Sequence, residues 1–399
     1  MYNKIAPTDL VAGRYGRYAL ILLLGILVTL PAPAQDFPEG AEPPSSRSEL
    51  PDAFLGQSPP AGAAGSFSTE FSRATISFAD VISGGPPKDG IPAIDEPSFV
   101  SLGEGREWIE DEESVFLLEA GGETKIYPVQ VLMWHEIVND EVGGVPVTVT
   151  YCPLCNTGVT FLRRYDGEIL DFGVSGRLRF SNMIMYDRQT ESWWQQATGR
   201  AIAGEYAGGR LARHPMLMLS FGEARRNWPR ARVLSRETGH SRAYGRNPYS
   251  GYDTSSRPFL YRGPRQNGDW SPMTRVVMVE AGGEQEPFVY PELEEKGVAE
   301  QLVGGVPIVV LFDPEAASPL DASTVAGGRA VGAANAFVAR VEGRRLTFEA
   351  LGEGRFRDRE TGSVWNAAGR AVSGDLLGRS LEPAETVQHF WFSYSAFEQ

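Results

Sequence analysis

Two cysteines occur in the 399-residue chain, and they stand together in Cys152-Pro153-Leu154-Cys155-Asn156. Thiols at this spacing form a redox couple, supply two ligands to a soft metal such as copper or zinc, or close a small disulfide. A thioredoxin-type couple opens a helix, whose dipole lowers the thiol pKa. The Thr157-Gly158-Val159-Thr160-Phe161 that follows has no helix-start character. A metal knuckle instead needs a residue tolerant of left-handed angles after the second sulfur, and Asn156 meets that need. Two sulfurs leave a zinc or copper site incomplete, so further ligands must come from elsewhere. A staple across four residues gains roughly 2 kcal/mol in the chain-entropy model, a weak reason to keep the pair. The residues alone leave all three chemistries open.

His135, in Trp134-His135-Glu136-Ile137-Val138-Asn139-Asp140, is the imidazole best placed to join them. On a helix that starts at Pro128 and runs to about Val138, His135 shares an inward face with Val131 and Val138. A neutral imidazole beside a thiol deprotonates it or completes a metal site. Cys152, Cys155 and His135 are therefore the candidate catalytic set and, alternatively, the candidate ligands of copper or zinc. His214, His240 and His389 are scattered, and each alone carries little weight. Met183 and Met185 alternate in an expected strand; thioethers suit Cu(I), but core filling is their usual role. Ser175 sits in Phe-Gly-Val-Ser-Gly, which is not a hydrolase elbow, and no phosphate loop or dinucleotide fingerprint occurs.

The elements that position these residues recur along the chain. Residues 115–156 lie without a gap over 276–317, sharing Glu-Ala-Gly-Gly-Glu and Gly-Gly-Val-Pro. At that offset Cys152 falls on Asp313, Cys155 on Ala316 and His135 on Lys296. In a wider register Asp187-Arg188-Gln189-Thr190-Glu191-Ser192 meets Asp358-Arg359-Glu360-Thr361-Gly362-Ser363, and Trp194 meets Trp365. Asp187, Arg188 and Ser192 persist where the cysteines are lost, which argues for a fold role such as an Asp–Arg pair closing a turn. Hairpin signals at Val115–Glu119 and Thr124–Tyr127 flank Gly121-Gly122, and Val147–Tyr151 reads as the strand that delivers Cys152. Further strands are expected at Gly158–Arg164, Ile169–Val174 and Met183–Tyr186.

The expected fold class is α+β, strand-dominated, with two related repeats from an internal duplication joined by an irregular Arg/Tyr/Gly-rich connection. In order, the chain reads as a signal peptide (1–34), a flexible tether (35–65) and a wrapped loop-rich segment (66–113). Repeat one with the cysteines (114–211), the connection (212–274) and repeat two (275–399) follow. Lys4, Arg14 and Arg17, an apolar run from Ala19 to Leu30, and Ala32-Pro33-Ala34 form a secretory-signal pattern. Its alternative is an uncleaved anchor; with cleavage, no stable membrane span is expected. The formal net charge of −14 disfavours nucleic acid as a partner.

Several phrases resemble a bacterial and archaeal family, the "domain of unknown function 3179" proteins. They are residues 83–92 (Ser-Gly-Gly-Pro-Pro-Lys-Asp-Gly-Ile-Pro), 134–140, 150–155 (Thr-Tyr-Cys-Pro-Leu-Cys), 172–176 and 185–188, with 269–276 and 390–397 similar to later segments. This chain has Asn156 where the family commonly shows Gly. The resemblance implies an exported protein and, because some relatives are labelled selenoproteins, redox chemistry at a cysteine position. The expectation is thus a periplasmic or extracellular thiol-based oxidoreductase with an unknown redox partner or small molecule. A copper or zinc protein is the first alternative, and a structural or interaction module with an inert disulfide the second.

Overall fold

The computed structural model describes residues 50–397 apart from Asn267 and Asp269. The expected signal (1–34) and the first part of the expected tether lie outside the described residues. No described α-helix exceeds seven residues, so strands carry the architecture. No described helix is long and apolar enough to cross a membrane.

Paired glycines and apolar runs build the first hairpin. β1 (Ser114–Ala120) and β2 (Glu123–Pro128) pair with Ala120 opposite Glu123. Gly121 and Gly122, both at positive φ, make the two-residue turn between them. Helix α1 (Val129–His135) follows, with Pro128 as its N-cap instead of its first helical residue. The helix stops three residues short of the expected Val138. Glu136 turns left-handed at φ 61, its N–H closes on the Leu132 carbonyl, and the chain leaves as β3 (Ile137–Val142). β4 (Val145–Cys152) is buried along its whole length and pairs with β3 and with β5 (Thr157–Leu162).

Four antiparallel strands come next: β6 (Phe172–Arg179), β7 (Asn182–Asp187), β8 (Trp193–Gln195) and β9 (Arg200–Ala203). Ala63, Phe71, Ala74, Ile76 and Phe78 pack on Ile184, Tyr186, Trp193 and Ile202 of this sheet. The described part of the stretch read as a tether, 50–65, is therefore corrected: Leu50 and Ala63 are buried, and Arg177 donates to the Ala61 carbonyl at 2.8 Å.

The connection is also more ordered at its start than its composition implied. Leu217, Met218 and Leu219 belong to β10 (Leu217–Ser220), which pairs along β1 and leads into helix α2 (Phe221–Asn227). Apolar side chains facing an unpaired strand edge explain the difference. From Ser235 to Thr274 the chain is irregular apart from one short 3-10 turn at Tyr252–Thr254.

The later chain forms β11 (Arg275–Ala281), β12 (Glu284–Val289), α3 (Tyr290–Lys296), β13 (Val298–Val303), β14 (Val306–Asp313) and β15 (Ala333–Val338). A four-stranded sheet continues through β16 (Phe348–Gly352), β17 (Arg355–Asp358), β18 (Val364–Asn366) and β19 (Ala371–Ser373). β20 (Glu385–Phe390) and α4 (Trp391–Phe397) close the described chain. One seven-stranded sheet joins early and late chain in the order β12-β11-β20-β5-β4-β3, with Arg213–His214 added beside β5. A core cluster likewise packs Val115, Leu117, Leu217 and Leu219 with Val309, Leu311, Phe337 and Trp365.

Asp187 and Asp358 hold equivalent turns, but not through the neighbouring arginines. Asp187 accepts from the Thr190 amide at 2.6 Å and from Trp194 Nε1 at 2.8 Å; Asp358 accepts from Thr361 at 2.6 Å and from Trp365 at 2.9 Å. Arg188 instead pairs with Asp95 at 3.1 Å. The expected Asp–Arg pairing is thus replaced by Asp–Thr and Asp–Trp bonds.

The β1–β2 and β3–β4 turns touch backbone to backbone. A Cβ added at Gly121 would lie 1.9 Å from the Gly143 carbonyl oxygen, whereas one at Gly122 meets open space. Gly122→Ala is expected to cost about 1 kcal/mol from left-handed strain alone, and Gly121→Ala about 3 kcal/mol because the facing turn must also shift. Urea midpoints of the two variants check this, and equal losses would refute the contact.

Candidate functional site

The cysteines sit on the tip of the β4–β5 hairpin. Cys152 ends β4 opposite Thr157, and Pro153, Leu154, Cys155 and Asn156 make the turn. Asn156 has φ 51 and its side-chain oxygen accepts from Tyr151 Oη at 3.0 Å. A strand, not a helix, follows the pair, so no helix dipole acts on these thiols. The turn is fastened from outside as well. The Phe390 amide donates to the Cys155 carbonyl at 2.8 Å and Tyr252 Oη to the Leu154 carbonyl at 2.7 Å.

Both thiols are buried and free, and their surroundings drive them apart. Burial pushes the Cys152 thiol well up, and its hydrogen bond to Cys155 pushes it further. Burial pushes Cys155 up too, but donors outweigh it and hold this thiol below its ordinary value. They are the Cys152 S–H, the Thr157 hydroxyl and amide, and Asn182. Asn182 Nδ2 lies 3.0 Å from Cys155 Sγ. Its orientation is set by its other end, where Oδ1 accepts from Gln195 Nε2 at 2.6 Å and from the Ala197 amide at 3.0 Å. The amide end must therefore face the sulfur. The proton of the pair is thus held more tightly at Cys152 than at Cys155.

Glu136 follows helix α1 directly and is electrostatically linked to the cysteines. It is buried, its carboxyl makes no hydrogen bond to a described residue, and its pKa rises to about 8 through burial and the nearby Cys155 charge. Its backbone carbonyl accepts from the Tyr151 amide at 2.8 Å, which ties it to the strand carrying Cys152. At an offset of 161 the helix α3 ends on Gly297, also left-handed (φ 74), its N–H closing on Leu293. Glycine takes that conformation freely; Glu136 takes it at a cost of about 1–2 kcal/mol. Phe180 (φ 52) and Ser181 (φ 64), between β6 and β7, are strained in the same sense, and the Ser181 carbonyl faces Cys152 Sγ at 3.7 Å. Glu136 and Ser181 thus hold left-handed backbone next to the cysteine-bearing strands, at a conformational cost that glycine would not incur.

The structure brings Cys152 and Cys155 together and places His135 elsewhere. His135 Nδ1 bonds the Pro92 carbonyl at 2.7 Å and Nε2 bonds Tyr244 Oη at 2.6 Å, so neither ring nitrogen is directed at a sulfur. Burial lowers its pKa to about 4. The helix ends at this residue, and Glu136, one position on, interacts with the cysteines through its charge. Among the described residues no three His, Cys, Asp or Glu side chains stand close enough to hold a metal ion. The copper or zinc set of Cys152, Cys155 and His135 is therefore not assembled. His389, one of the scattered histidines, does reach the site: its Nδ1 lies 3.1 Å from Thr157 Oγ1, which also serves Cys155, and burial lowers its pKa to about 3. Met183 and Met185 are core residues. Glu136 was detectable in the sequence, as the residue facing a glycine in the fixed-offset comparison; Asn182 left no such mark.

The fold and site define a strand-built protein with a buried dithiol on a hairpin tip. A family model described as "Protein of unknown function (DUF3179)" matches residues 88–399, and the chain belongs to that family. No curated protein and no solved structure matches it.

The raised value of Glu136 has a signed consequence. Its folded pKa of about 8 exceeds the ordinary 4.5, so its stabilising contribution is full below about pH 4.5 and is lost as pH rises through 8. Relative to Glu136→Gln, the wild-type protein is expected to lose stability between about pH 5 and about pH 8.5. Urea denaturation across that window measures the difference; parallel curves for the two proteins would refute a buried, titrating carboxyl.

Proposed function

We propose that the chain is a thiol-based oxidoreductase whose nucleophile is Cys155, with Cys152 as the resolving thiol and Glu136 as the proton carrier. The observation that carries this is the Asn182 amide held 3.0 Å from Cys155 Sγ, a donor aimed at the one thiol of the pair whose pKa its surroundings lower. In the step inferred, the Cys155 thiolate attacks one sulfur of a disulfide RSSR. The Cys155–S–SR bond forms, the RS–SR bond breaks, and RS⁻ leaves with the Glu136 proton. Cys152 then gives its proton to the Glu136 carboxylate and attacks the Cys155 sulfur, expelling the second RS⁻. The protein dithiol is oxidised by two electrons and the disulfide is reduced by two. Run backwards, the same step reduces the protein.

The copper or zinc reading keeps one support, the left-handed Asn156 after the second sulfur, and lacks a third ligand among the described residues. We also infer an ancestral duplication. It is supported by the shared order hairpin–helix–hairpin in β1–β4 and β11–β14, by Gly121/Gly143 stacking as Gly282/Gly304 do, and by the matching Asp187 and Asp358 turns. Export is inferred from the residue pattern of 1–34 alone.

Thiol trapping in graded redox buffers, with hydroxyethyl disulfide as oxidant, tests the redox step. Cys155→Ser is expected to abolish exchange, Cys152→Ser to accumulate a mixed disulfide, and Glu136→Gln to slow exchange about 100-fold; His135→Ala should leave the rate near wild type. Near-stoichiometric copper or zinc in the purified protein, lost in Cys155→Ser, would replace this reading with the metal one. A Cys152–Cys155 bond that resists every buffer would make it an inert staple.

A further inference from the structure

The irregular connection opens a cleft of about 760 Å³ directly beside the cysteine turn. Leu154 of the turn and the aromatic residues Tyr249, Tyr252, Phe259 and Tyr261 are among those that line it, and Arg257 and Arg262, which also line it, are exposed. Its volume is that of a small-molecule site. The wall is bonded to the thiol surroundings at two points. Tyr252 Oη donates to the Leu154 carbonyl at 2.7 Å and accepts from the Phe259 amide at 3.1 Å. The Phe259 carbonyl in turn accepts from Ser181 Oγ, and the Ser181 carbonyl faces Cys152 Sγ.

The charge of the cleft runs against that of the chain. The protein carries a formal net charge of −14, and Arg163, Arg188, Arg213 and Arg275 each meet a carboxylate. Among the described residues neither Arg257 nor Arg262 has an ion-pair partner, and Phe259 between them is 59% exposed. Leu260 is held left-handed at φ 56 in the same loop. Two free guanidiniums beside aromatic faces suit a ligand with carboxylates at its ends and a soft, apolar middle.

We propose that this cleft binds a small disulfide bearing carboxylates, the class of oxidant that the thiol pair reduces. The proposal rests on the thiol-exchange reading for the fate of the ligand, but not for its binding. The bond changes are those given above, with RSSR the anionic disulfide: its S–S bond breaks, two RS groups leave as thiol and thiolate, and the Cys152–Cys155 bond forms.

Two measurements test it. Oxidation rates are compared for glutathione disulfide (anionic), hydroxyethyl disulfide (neutral) and cystamine (cationic), in wild type and in the Arg257→Ala/Arg262→Ala protein. Wild type should favour the anionic oxidant over the cationic one by about tenfold, and the arginine variant should lose that preference while its rate with the neutral disulfide is unchanged. Separately, calorimetry with glutathione disulfide on Cys152→Ser/Cys155→Ser protein should show saturable binding that weakens about tenfold when both arginines are also replaced. Absence of binding, or binding indifferent to the arginines, overturns the cleft. Binding that behaves as expected, with no oxidation of the intact thiols by any disulfide, upholds the cleft and sinks the exchange reaction instead.

Discussion

A buried thiol ringed by hydrogen-bond donors at the tip of a β-hairpin is the constraint around which the site is organised. Removing charge from water is costly unless donors replace the lost hydration. At Cys155 those donors come from several places: Cys152 from the same turn, Thr157 from the next strand, and Asn182 from a separate sheet. Asn182 is aimed only because Gln195 and Ala197 occupy its oxygen, and Gln196 is aimed in turn by Thr150 and the Thr157 carbonyl. The sulfur is thus met by a hydrogen-bond network whose members are buried. Chemistry at the hairpin tip requires the β6–β9 sheet to be docked first.

The late chain contributes as much as the early one. β20 runs beside β5, and the Phe390 amide closes on the Cys155 carbonyl, while His389 lies against Thr157. A pair of cysteines in the first half therefore does not make a site that belongs to the first half. If the halves arose from one unit, the doubling did more than leave a chemically bare copy: the second copy became a wall of the first copy's centre. That explains why a scaffold without thiols keeps its buried Trp365 and its Asp358 turn, since both support the packing that β14 and β15 give to Leu117 and Leu219.

Local chemistry of the chain made part of this legible in advance. Gly121-Gly122 and Gly143-Gly144 announce their turns because no other residue takes both positions without strain, and the β-branched run before Cys152 is the expected strand. Asn156 takes the left-handed position its type permits. Periodicity failed at the end of helix α1, where Ile137 and Val138 continue an apolar helical face yet belong to a strand. The reason lies in Glu136, whose left-handed turn contradicts its own propensity, and a pattern built on propensities passes over such a residue. The same turn makes Glu136, and not His135, the residue whose carbonyl is bonded to the strand carrying Cys152. β10 was missed for a different reason: its apolar run is four residues long, and only pairing with β1 distinguishes it from a loop.

Burial of both thiols raises the question of access, and the fold answers it asymmetrically. Cys152 and Thr157 at the base of the turn belong to paired strands, whose backbone bonds open only with the sheet. Leu154 at its tip meets the Tyr249–Arg262 stretch, which has one short 3-10 turn and is held by bonds of Tyr252 and Ser181, by the Gly251 and Tyr252 amides on the Asp321 and Leu320 carbonyls, and by buried Asp253 paired with Arg275 and Arg329. For the exchange reaction proposed above, access falls to this stretch, where regular structure is least. Phe180, Ser181 and Leu260 are all held left-handed, and Ser181 donates to the Phe259 carbonyl of this stretch. Left-handed strain in the closed form lowers the cost of the opening that the proposed exchange requires, which reconciles two fully buried thiols with a reaction that must reach them.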